Sequence, residues 1–242
     1  MLPRFDHLIF VVDDLAAAAA RFAGLGFAIT ERADREAGPT ENRLICFADG
    51  SYIELVRFRD PALLRTHRFA PVADGGWADY VLRIDDLTAA HAAITDDGQP
   101  TSPIRKVQKT LADGGSWEVW LSHFGRGVGD PAMPMLAEDR TAHNLRVPDT
   151  QVVHPNGATG IAGVRIAVDD LAASSARLCA VLSPVPAAGA GGGQRFATAA
   201  GWVELLQPAP GTAEAARLQT VGPGIIDVTL AGPRPAIIGN AP

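Results

Sequence analysis

One histidine and one glutamate near the start of the chain have the residue types and the placement for metal chemistry. His7 opens a strand-like run, and Glu54 lies within another. Side chains alternate between the two faces of a strand. If Leu8 and Ile53 pack against a helix, His7 and Glu54 point together into a groove on the opposite face. An imidazole and a carboxylate in one groove are an ordinary start for a divalent-metal site.

The same two residues also have a plainer interpretation. A single histidine near a strand start is more often structural or solvated than functional. Glu54 shifts this balance, because a carboxylate among apolar residues is costly unless it is paired, protonated or bound to a metal. Two ligands do not hold a metal well, so the hypothesis requires further ligands elsewhere in the chain.

An internal repeat indicates where such ligands would lie. The sequence V-D-D-L at 12–15 recurs at 168–171, an offset of 156 residues, and a looser copy, I-D-D-L, spans 84–87. Each copy follows a strand-like run, and its second aspartate is a typical helix N-cap. Each copy therefore predicts a strand followed directly by a capped helix.

The residues after the first helix complete a module. Strand-like runs at 27–31, 43–47 and 52–58, with a turn at 49–50, predict a βαβββ order. The predicted fold class is α+β, with repeated modules forming a cupped mixed sheet that carries its helices on the outer face. Paired modules are expected within residues 1–140, as 1–60 and 76–140. Residues 141–157 are expected to form a linker, and 158–242 a third module with a truncated fourth.

The repeat places two residues at the position of His7. An offset of 72 residues brings Asp79 to that position in the second module, and the offset of 156 brings Gly163 there in the third. A carboxylate can bind a metal and a glycine side chain cannot. Asp79 is therefore predicted as a third metal ligand.

A second glutamate is predicted as the fourth ligand. Glu138, at the end of the last strand expected in the second module, is the nearest equivalent of Glu54, and Glu118 competes with it. The charged neighbours of Glu138 fit an exposed turn equally well. Glu204 repeats Glu54 in the third module but has no histidine opposite it. We therefore interpret Glu204 as a remnant of the repeat that does not bind a metal.

Four residues are candidates for contacts with a substrate. Arg83 shares the strand parity of Asp79 and would hold a substrate carboxylate, although a surface ion pair explains it as well. Tyr52, Trp117 and Trp120 would line the cup. The remaining histidines show no ligand spacing: His154 is expected to anchor a turn, and solvated positions explain His67, His91, His123 and His143.

Composition narrows the classes of function. The chain has 242 residues and is 47% hydrophobic, enough for sizeable buried cores. Its formal net charge is −6 and it has no dense basic run, which argues against nucleic acid as a partner. No apolar stretch approaches the roughly 20 residues of a membrane span. The first residues do not read as a secretion signal, so a cytoplasmic location is expected.

These motifs resemble a known superfamily. The sequences F-D-H-L-I at 5–9, V-D-D-L at 12–15, L-G-F at 25–27 and Y-I-E-L at 52–55 are similar to the vicinal oxygen chelate, or glyoxalase/bleomycin-resistance, superfamily, and to its glyoxalase-like domain group. Asn42 and the H-P-N-G-A sequence at 154–158 add to the match, which extends from residue 5 to about residue 170.

The resemblance implies a function for the cup. Two βαβββ modules would surround a divalent cation such as Zn, Ni, Mn or Fe, held by their first and last strands. The metal would chelate two neighbouring substrate oxygens while a carboxylate, Glu54 or Glu138, moves a proton. Asp79 stands where a second histidine is usual. This departure weakens most the hypothesis of an extradiol dioxygenase, whose iron site needs two histidines and one carboxylate. Some relatives use the same cup as a metal-free binding pocket.

Two hypotheses follow for the activity. The first is a metal-dependent lyase or isomerase acting on a small oxygenated substrate, with His7, Glu54, Asp79 and Glu138 as ligands. The alternative is a metal-free protein of the bleomycin-resistance type that binds or sequesters a small molecule. In either case the expected partner is a small molecule. For the third module two roles stay open: it would close a homodimer, or it would cover the cup.

Overall fold

The first module has the predicted element order. The structure, a computed structural model, describes residues 2–31, 38–111, 114–185, 192–233 and 236–239. The elements of the first module are β1 (Arg4–Val11), α1 (Leu15–Gly24), β2 (Thr30–Glu31), β3 (Thr40–Cys46) and β4 (Tyr52–Phe58). A short helix, α2 (Pro61–Thr66), and a 3₁₀ turn (Ala70–Val72) connect it to the next module.

The second module repeats this order and completes one sheet. Its elements are β5 (Gly76–Arg83), α3 (Leu87–Asp96), β6 (Arg105–Thr110), β7 (Ser116–His123) and β8 (Met135–Asp139). The eight strands pair in the order β2-β3-β4-β1-β5-β8-β7-β6. β1 runs parallel to β4 and antiparallel to β5, so the opening strands of the two modules meet at the centre of the sheet. The predicted α+β class with a cupped mixed sheet is confirmed.

A smaller second sheet follows. Its elements are β9 (Gly160–Ala167), α4 (Leu171–Leu178), β10 (Pro184–Val185), β11 (Gln194–Ala197), β12 (Trp202–Leu206), α5 (Ala213–Val221), β13 (Gly224–Ala231) and β14 (Ala236–Gly239). The strand order is β10-β11-β12-β9-β13-β14. β9 pairs in parallel with β12 and antiparallel with β13, as β1 does with β4 and β5.

The paired aspartates of the repeat start three helices. Asp14, Asp86 and Asp170 each accept a hydrogen bond from a backbone N–H in the first turn of α1, α3 and α4. Such caps satisfy donors that have no partner within the helix. The repeat therefore fixes where each helix leaves its strand.

The opening strands share an irregularity. The pairing of β1 with β5 skips one residue just before Asp79, and the pairing of β9 with β13 skips one just before Asp227. Asp227 consequently lies beside Arg165 in the same way that Asp79 lies beside Ile9. β13 thus has the register of an opening strand.

The helix-bearing faces of the two sheets share one apolar core. Phe10 and Leu55 from the first sheet and Val164 and Leu205 from the second belong to the same buried cluster. The Trp77 ring of β5 also donates a hydrogen bond to the backbone carbonyl of Ile238 in β14, at 3.3 Å. The concave face of the first sheet lies on the side away from this core.

Two segments cover parts of the first concave face. Leu64 of α2 and Val72 of the 3₁₀ turn pack in a cluster with Val56. Val147, from the segment after β8, packs in another cluster with Tyr52. Glu54 lies between Tyr52 and Val56 on this face of β4, in the gap between the two covers. Within the described ranges, no helix is long and apolar enough to span a membrane.

Candidate functional site

His7 is held in one orientation by its neighbour in the sequence. The pairing of β1 with β5 jumps between Phe5 and His7, so Asp6 lies at a bulge. Because of this jump the Asp6 carboxylate reaches the ring of His7, with Oδ1 2.6 Å from Nδ1. The Tyr52 ring stacks on the other side of the imidazole, with the ring centroids 4.5 Å apart. The remaining nitrogen of His7, Nε2, is left free to point toward β4.

The carboxylate that Nε2 meets is Glu54. Glu54 Oε2 lies 3.9 Å from His7 Nε2, and Asn42 of β3 donates a hydrogen bond to the other oxygen, Oε1, at 2.5 Å. The side chain of Glu54 is 17% exposed, while that of His7 is 7% exposed. The strand parity argument expected these two residues to converge, and their side chains do. A distance of 3.9 Å exceeds a hydrogen bond and leaves both groups able to contact one intervening atom.

The ionised carboxylate of Asp6 decides which nitrogen of the His7 ring carries a hydrogen. Burial alone would raise the pKa of Asp6, but the charge of Arg146 and the hydrogen bonds from His7 and Arg146 outweigh it and hold this pKa well below its usual value. An ionised carboxylate can only accept hydrogen bonds. His7 Nδ1 therefore carries a hydrogen, and Nε2 is the nitrogen that can exchange a proton with a ligand.

Arg146 connects the buried acids behind the histidine. Its guanidinium contacts Asp6 Oδ2 at 2.7 Å, Asp139 Oδ1 at 2.8 Å and the Tyr52 hydroxyl at 3.2 Å. Burial lowers the pKa of Arg146, but Asp6, Tyr52 and Asp139 together raise it well above its usual value. The arginine is thus a permanent positive charge that supports the Asp6–His7 pair from behind.

A cluster with the geometry of a metal site lies in this network. Asp6, Asp139 and His143 present ligand atoms within 4.8 Å of one another. His143 Nδ1 is 2.7 Å from Asp139 Oδ2, and its Nε2 is 2.8 Å from the Gly50 carbonyl. The guanidinium of Arg146 already supplies the positive charge between the two carboxylates. We therefore interpret the cluster as a structural ion-pair network.

Sequence reasoning missed this network. His143 was expected to be solvated, and Arg146 lies in a segment expected to be only a linker. Regular alternation along a strand would put Asp6 on the face opposite His7, and the bulge that changes this cannot be read from the residue types. The one available signal was the spacing of His143 and Arg146, which is typical of side chains that share a helical face.

Asp79 reaches the concave face but is already paired. It lies opposite Ile9 in the register, which makes it a diagonal neighbour of His7. Its carboxylate forms an ion pair with Arg68, and the side chain of Asp79 is 3% exposed. A metal at Asp79 would have to displace this guanidinium. The structure therefore does not bring Asp79 to His7 and Glu54 as a free ligand.

Glu138 lies on the wrong face for the predicted site. It pairs with Trp120 in the register of β7 and β8, and its Oε2 accepts a hydrogen bond from the backbone N–H of Leu87 at 2.9 Å. It also pairs with Arg140. Glu138 thus completes the N-terminus of α3, on the helix side of the sheet. The last strand of the module ends at Asp139, and Asp139 takes the concave position expected for Glu138.

Glu118, the alternative to Glu138 as a ligand, and the two tryptophans of β7 lie on different faces of the sheet. Trp117 lies on the concave face, packed with Val81 and Met135, and is 4% exposed. Trp120 lies on the helix side, where its ring nitrogen donates to Glu118 at 2.5 Å and the guanidinium of Arg140 covers its face. Trp120 therefore does not line the cup, and the same parity takes Glu118 out of it.

Arg83 lies at the end of the network. Its Nη1 is 3.5 Å from Asp139 Oδ2, and it borders a pocket of about 520 Å³ together with His143 and Asp49. Tyr52, the other predicted substrate contact, is 4% exposed and carries the His7 ring. Substrate contacts by Arg83, Tyr52 and Trp117 remain predictions.

In the second sheet, the ring of Trp202 fills the space that corresponds to the side chain of His7. A side chain at Gly163 would overlap the ring of Trp202, which lies over this glycine. Glu204, which repeats Glu54, is paired with Arg195 at 2.5 Å. Neither residue is available to a ligand in the way that His7 and Glu54 are.

The donor set does not fit a metal held by four protein ligands. Among the described residues, His7 Nε2 and Glu54 Oε2 converge, Asp79 is occupied by Arg68, and Glu138 faces the helix side. Structural and catalytic sites usually use three or four protein ligands. Two donors remain, and they can equally well act on a substrate directly.

Comparisons with known proteins agree with the fold. The family model described as a glyoxalase-like domain matches residues 5–182. A hypothetical protein from Staphylococcus aureus has 13% sequence identity and a TM-score of 0.65, over 86% of this chain and 87% of its own. The comparison with curated proteins gives no match.

Two further solved structures are methylmalonyl-CoA epimerases. The Streptomyces coelicolor protein, in complex with 2-nitronate-propionyl-CoA, has 17% identity over 58% of this chain and all of its own, with a TM-score of 0.39. The Mycobacterium tuberculosis protein has 16% identity over 59% of this chain and 90% of its own, with a TM-score of 0.37. Because the family model covers well over half of the sequence, the chain belongs to the glyoxalase-like domain family, within the vicinal oxygen chelate superfamily.

Proposed function

We propose that the protein is an isomerase or lyase that moves a proton on a small oxygen-bearing molecule bound between His7 and Glu54. The observation that carries this proposal is the 3.9 Å approach of His7 Nε2 and Glu54 Oε2 on the concave face. Two groups that can each take or give a proton then face the same space. Such a pair can remove a proton from one substrate atom and return it to another.

The surroundings of His7 suit it to this role. The Asp6 carboxylate fixes the ring and stabilises the positive charge that forms when Nε2 takes a proton. Arg146 in turn keeps Asp6 ionised. The ring can therefore change its charge without moving.

Glu54 is the carboxylate that would act as the base. Asn42 orients it through Oε1, which leaves Oε2 for the substrate. Its partial burial excludes much of the water that would otherwise compete for the abstracted proton. Tyr52 packs behind His7 and keeps the imidazole at the working distance.

Metal dependence was the expectation from the resemblance. A divalent ion, if it used this site, would be held by His7 and Glu54 and would polarise a substrate oxygen. Since these two donors do not complete a protein-held site, the proposed proton transfer is assigned to the side chains themselves.

Hydrogen exchange tests the proposal without knowledge of the product. The protein would be incubated in D₂O with a panel of small 2-oxo and 2-hydroxy acids and their esters, and loss of the C–H signal followed by proton NMR. We expect exchange on at least one compound, and a rate lowered by about 100-fold or more in His7→Gln and Glu54→Gln. Glu204→Gln is the matched control, because this glutamate holds the same place in the second sheet.

Two results would overturn the proton-transfer proposal. If exchange continued at the wild-type rate in both variants, neither His7 nor Glu54 would take part in the proton transfer. The second result would come from metal analysis of the protein purified without a chelator. A stoichiometric divalent metal that is lost in His7→Ala would replace the proposal with the metal-dependent form.

A second candidate is a metal-free binding protein. The ion pair of Arg68 with Asp79 favours it, since this pair occupies the carboxylate that was predicted as a metal ligand. The binding role predicts ligand-induced thermal stabilisation that His7→Gln leaves unchanged, with no C–H exchange on the same ligand. The expected homodimer is a separate prediction, which light scattering of the purified chain would test.

A further inference from the structure

Two arginines lie near the turn that leads from α5 into β13. Arg126 lies in the segment between β7 and β8, and its Nη2 donates a hydrogen bond to the Pro223 carbonyl at 2.6 Å, just beyond the end of α5. Arg217 lies on α5 itself. Gly224 leaves room for the contact, because a Cβ there would be 2.9 Å from Arg126 Nη2. The pair is thus assembled from both sheets.

Both guanidinium groups have buried donors without a partner. Arg126 is only 5% exposed, yet its Nε forms no hydrogen bond, and the buried Nη1 of Arg217 forms none either. A buried donor that lacks an acceptor costs free energy, and more so when it is charged. One such donor lies on a side chain that contacts the residue after α5 and the other on α5 itself, and this arrangement favours an acceptor that binds beside the helix end.

The local charges indicate that this acceptor is an anion. Burial lowers the pKa of Arg126, and burial together with the charge of Arg126 lowers that of Arg217. Asp79 acts in the opposite direction on Arg126, but it forms its ion pair with Arg68. Among the described residues, neither Arg126 nor Arg217 forms an ion pair with a carboxylate.

We propose that Arg126 and Arg217 bind a phosphate group at the junction of the two sheets. Phosphate offers several acceptor oxygens in different directions, which suits two guanidinium forks that come from separate elements. Its negative charge would offset the repulsion between the two arginines. This site goes beyond the proton transfer proposed for His7 and Glu54 and does not depend on it.

A titration with inorganic phosphate tests the site. The full chain would be kept in a buffer without phosphate, at an ionic strength matched with sodium chloride, and followed by thermal unfolding and calorimetry. We expect a saturable rise of the melting temperature in the wild type. Arg217→Gln should weaken phosphate binding about tenfold or more, because a charged hydrogen bond is lost. Arg217→Lys keeps the charge without the guanidinium fork and should lose less affinity than Arg217→Gln.

The unliganded variant gives a second readout. Because Arg217→Gln removes one of two buried like charges, it should unfold at a higher temperature than the wild type when phosphate is absent. The matched control is Arg177→Gln. Arg177 is paired with Asp130 at 3.3 Å, so its replacement should not raise the unfolding temperature and should leave the phosphate-induced shift unchanged.

Three outcomes would overturn the phosphate site. One is the absence of a saturable phosphate effect in the wild type. Another is an Arg217→Gln variant that binds phosphate as the wild type does, or unfolds at a lower temperature without it. The third is a saturable response to succinate in the absence of one to phosphate, which would show that the ligand class is wrong.

Discussion

The candidate site depends on one fully buried carboxylate. Asp6 is 0% exposed and holds both the imidazole of His7 and the guanidinium of Arg146. A buried charge is tolerated only when it is paired and hydrogen-bonded, and both conditions are met here. The orientation of His7 is therefore a consequence of the ion pair behind it.

Asp6→Asn should destabilise the protein at neutral pH. The change leaves the charge of Arg146 less compensated, and we expect a loss of about 3 kcal/mol in the free energy of unfolding, measured by urea denaturation. Asp96→Asn, on the exposed end of α3, is the control and should have little effect. Equal stability of the two variants would contradict the role given to Asp6.

The acid limb of stability should also change in this variant. The pKa values of Asp6 and Asp139 are below the usual aspartate value in the folded protein. Their contribution to stability is therefore complete above the usual aspartate pKa and is lost as the pH falls through it toward the folded values. Melting temperatures from pH 6 down to pH 3 should fall less steeply for Asp6→Asn than for the wild type, and parallel curves would contradict the linkage.

At the level of elements, the position of a carboxylate on a strand decides what it does. Glu54 and Glu138 both lie in the last strand of a module, but the register of β8 turns Glu138 toward α3. There it accepts the hydrogen bond of a first-turn N–H, which is a capping function. Asp139, one residue later, faces the concave side.

Glu138→Ala should therefore affect stability and leave ligand binding intact. We expect a loss of about 1 kcal/mol in the free energy of unfolding, as for other lost helix caps. Glu138→Gln keeps an acceptor oxygen and should lose less. The ligand-induced thermal shift of the wild type should persist in both variants. If this shift disappeared, Glu138 would have to contribute to ligand binding.

At the level of the whole molecule, the two sheets depend on each other. Leu55 of β4 and Leu205 of β12 hold equivalent places in their sheets and are both 0% exposed in the shared core. Each sheet thus buries part of its helix-bearing face in a core that it shares with the other. The chain should consequently unfold as one unit.

Leu55→Ala and Leu205→Ala test this interdependence as a matched pair. Each substitution leaves a cavity in the same core and should cost about 2–5 kcal/mol. Both should lower the temperature of a single calorimetric transition. If Leu205→Ala shifted one of two separate transitions, the sheets would be independent.

The sequence by itself determined the repeated elements of the fold. The aspartate pairs and strand-like runs predicted the capped helices, and strand parity predicted that His7 and Glu54 share a face. These signals are local, because a cap needs only its own helix and alternation needs only its own strand. Gly163 was likewise excluded as a ligand from its residue type alone.

Tertiary structure alone decided the charge pairs around the site. Arg146 forms an ion pair with Asp6 from a segment that lies far along the chain, and Arg68 forms one with Asp79 from a segment outside the sheet. The bulge at Asp6 and the register of β8 depend on neighbouring strands, so residue types could not show that Asp6 faces His7 or that Glu138 faces α3. Long side chains from distant segments compete for the same carboxylates, and only the folded chain determines which of them is close enough to bind.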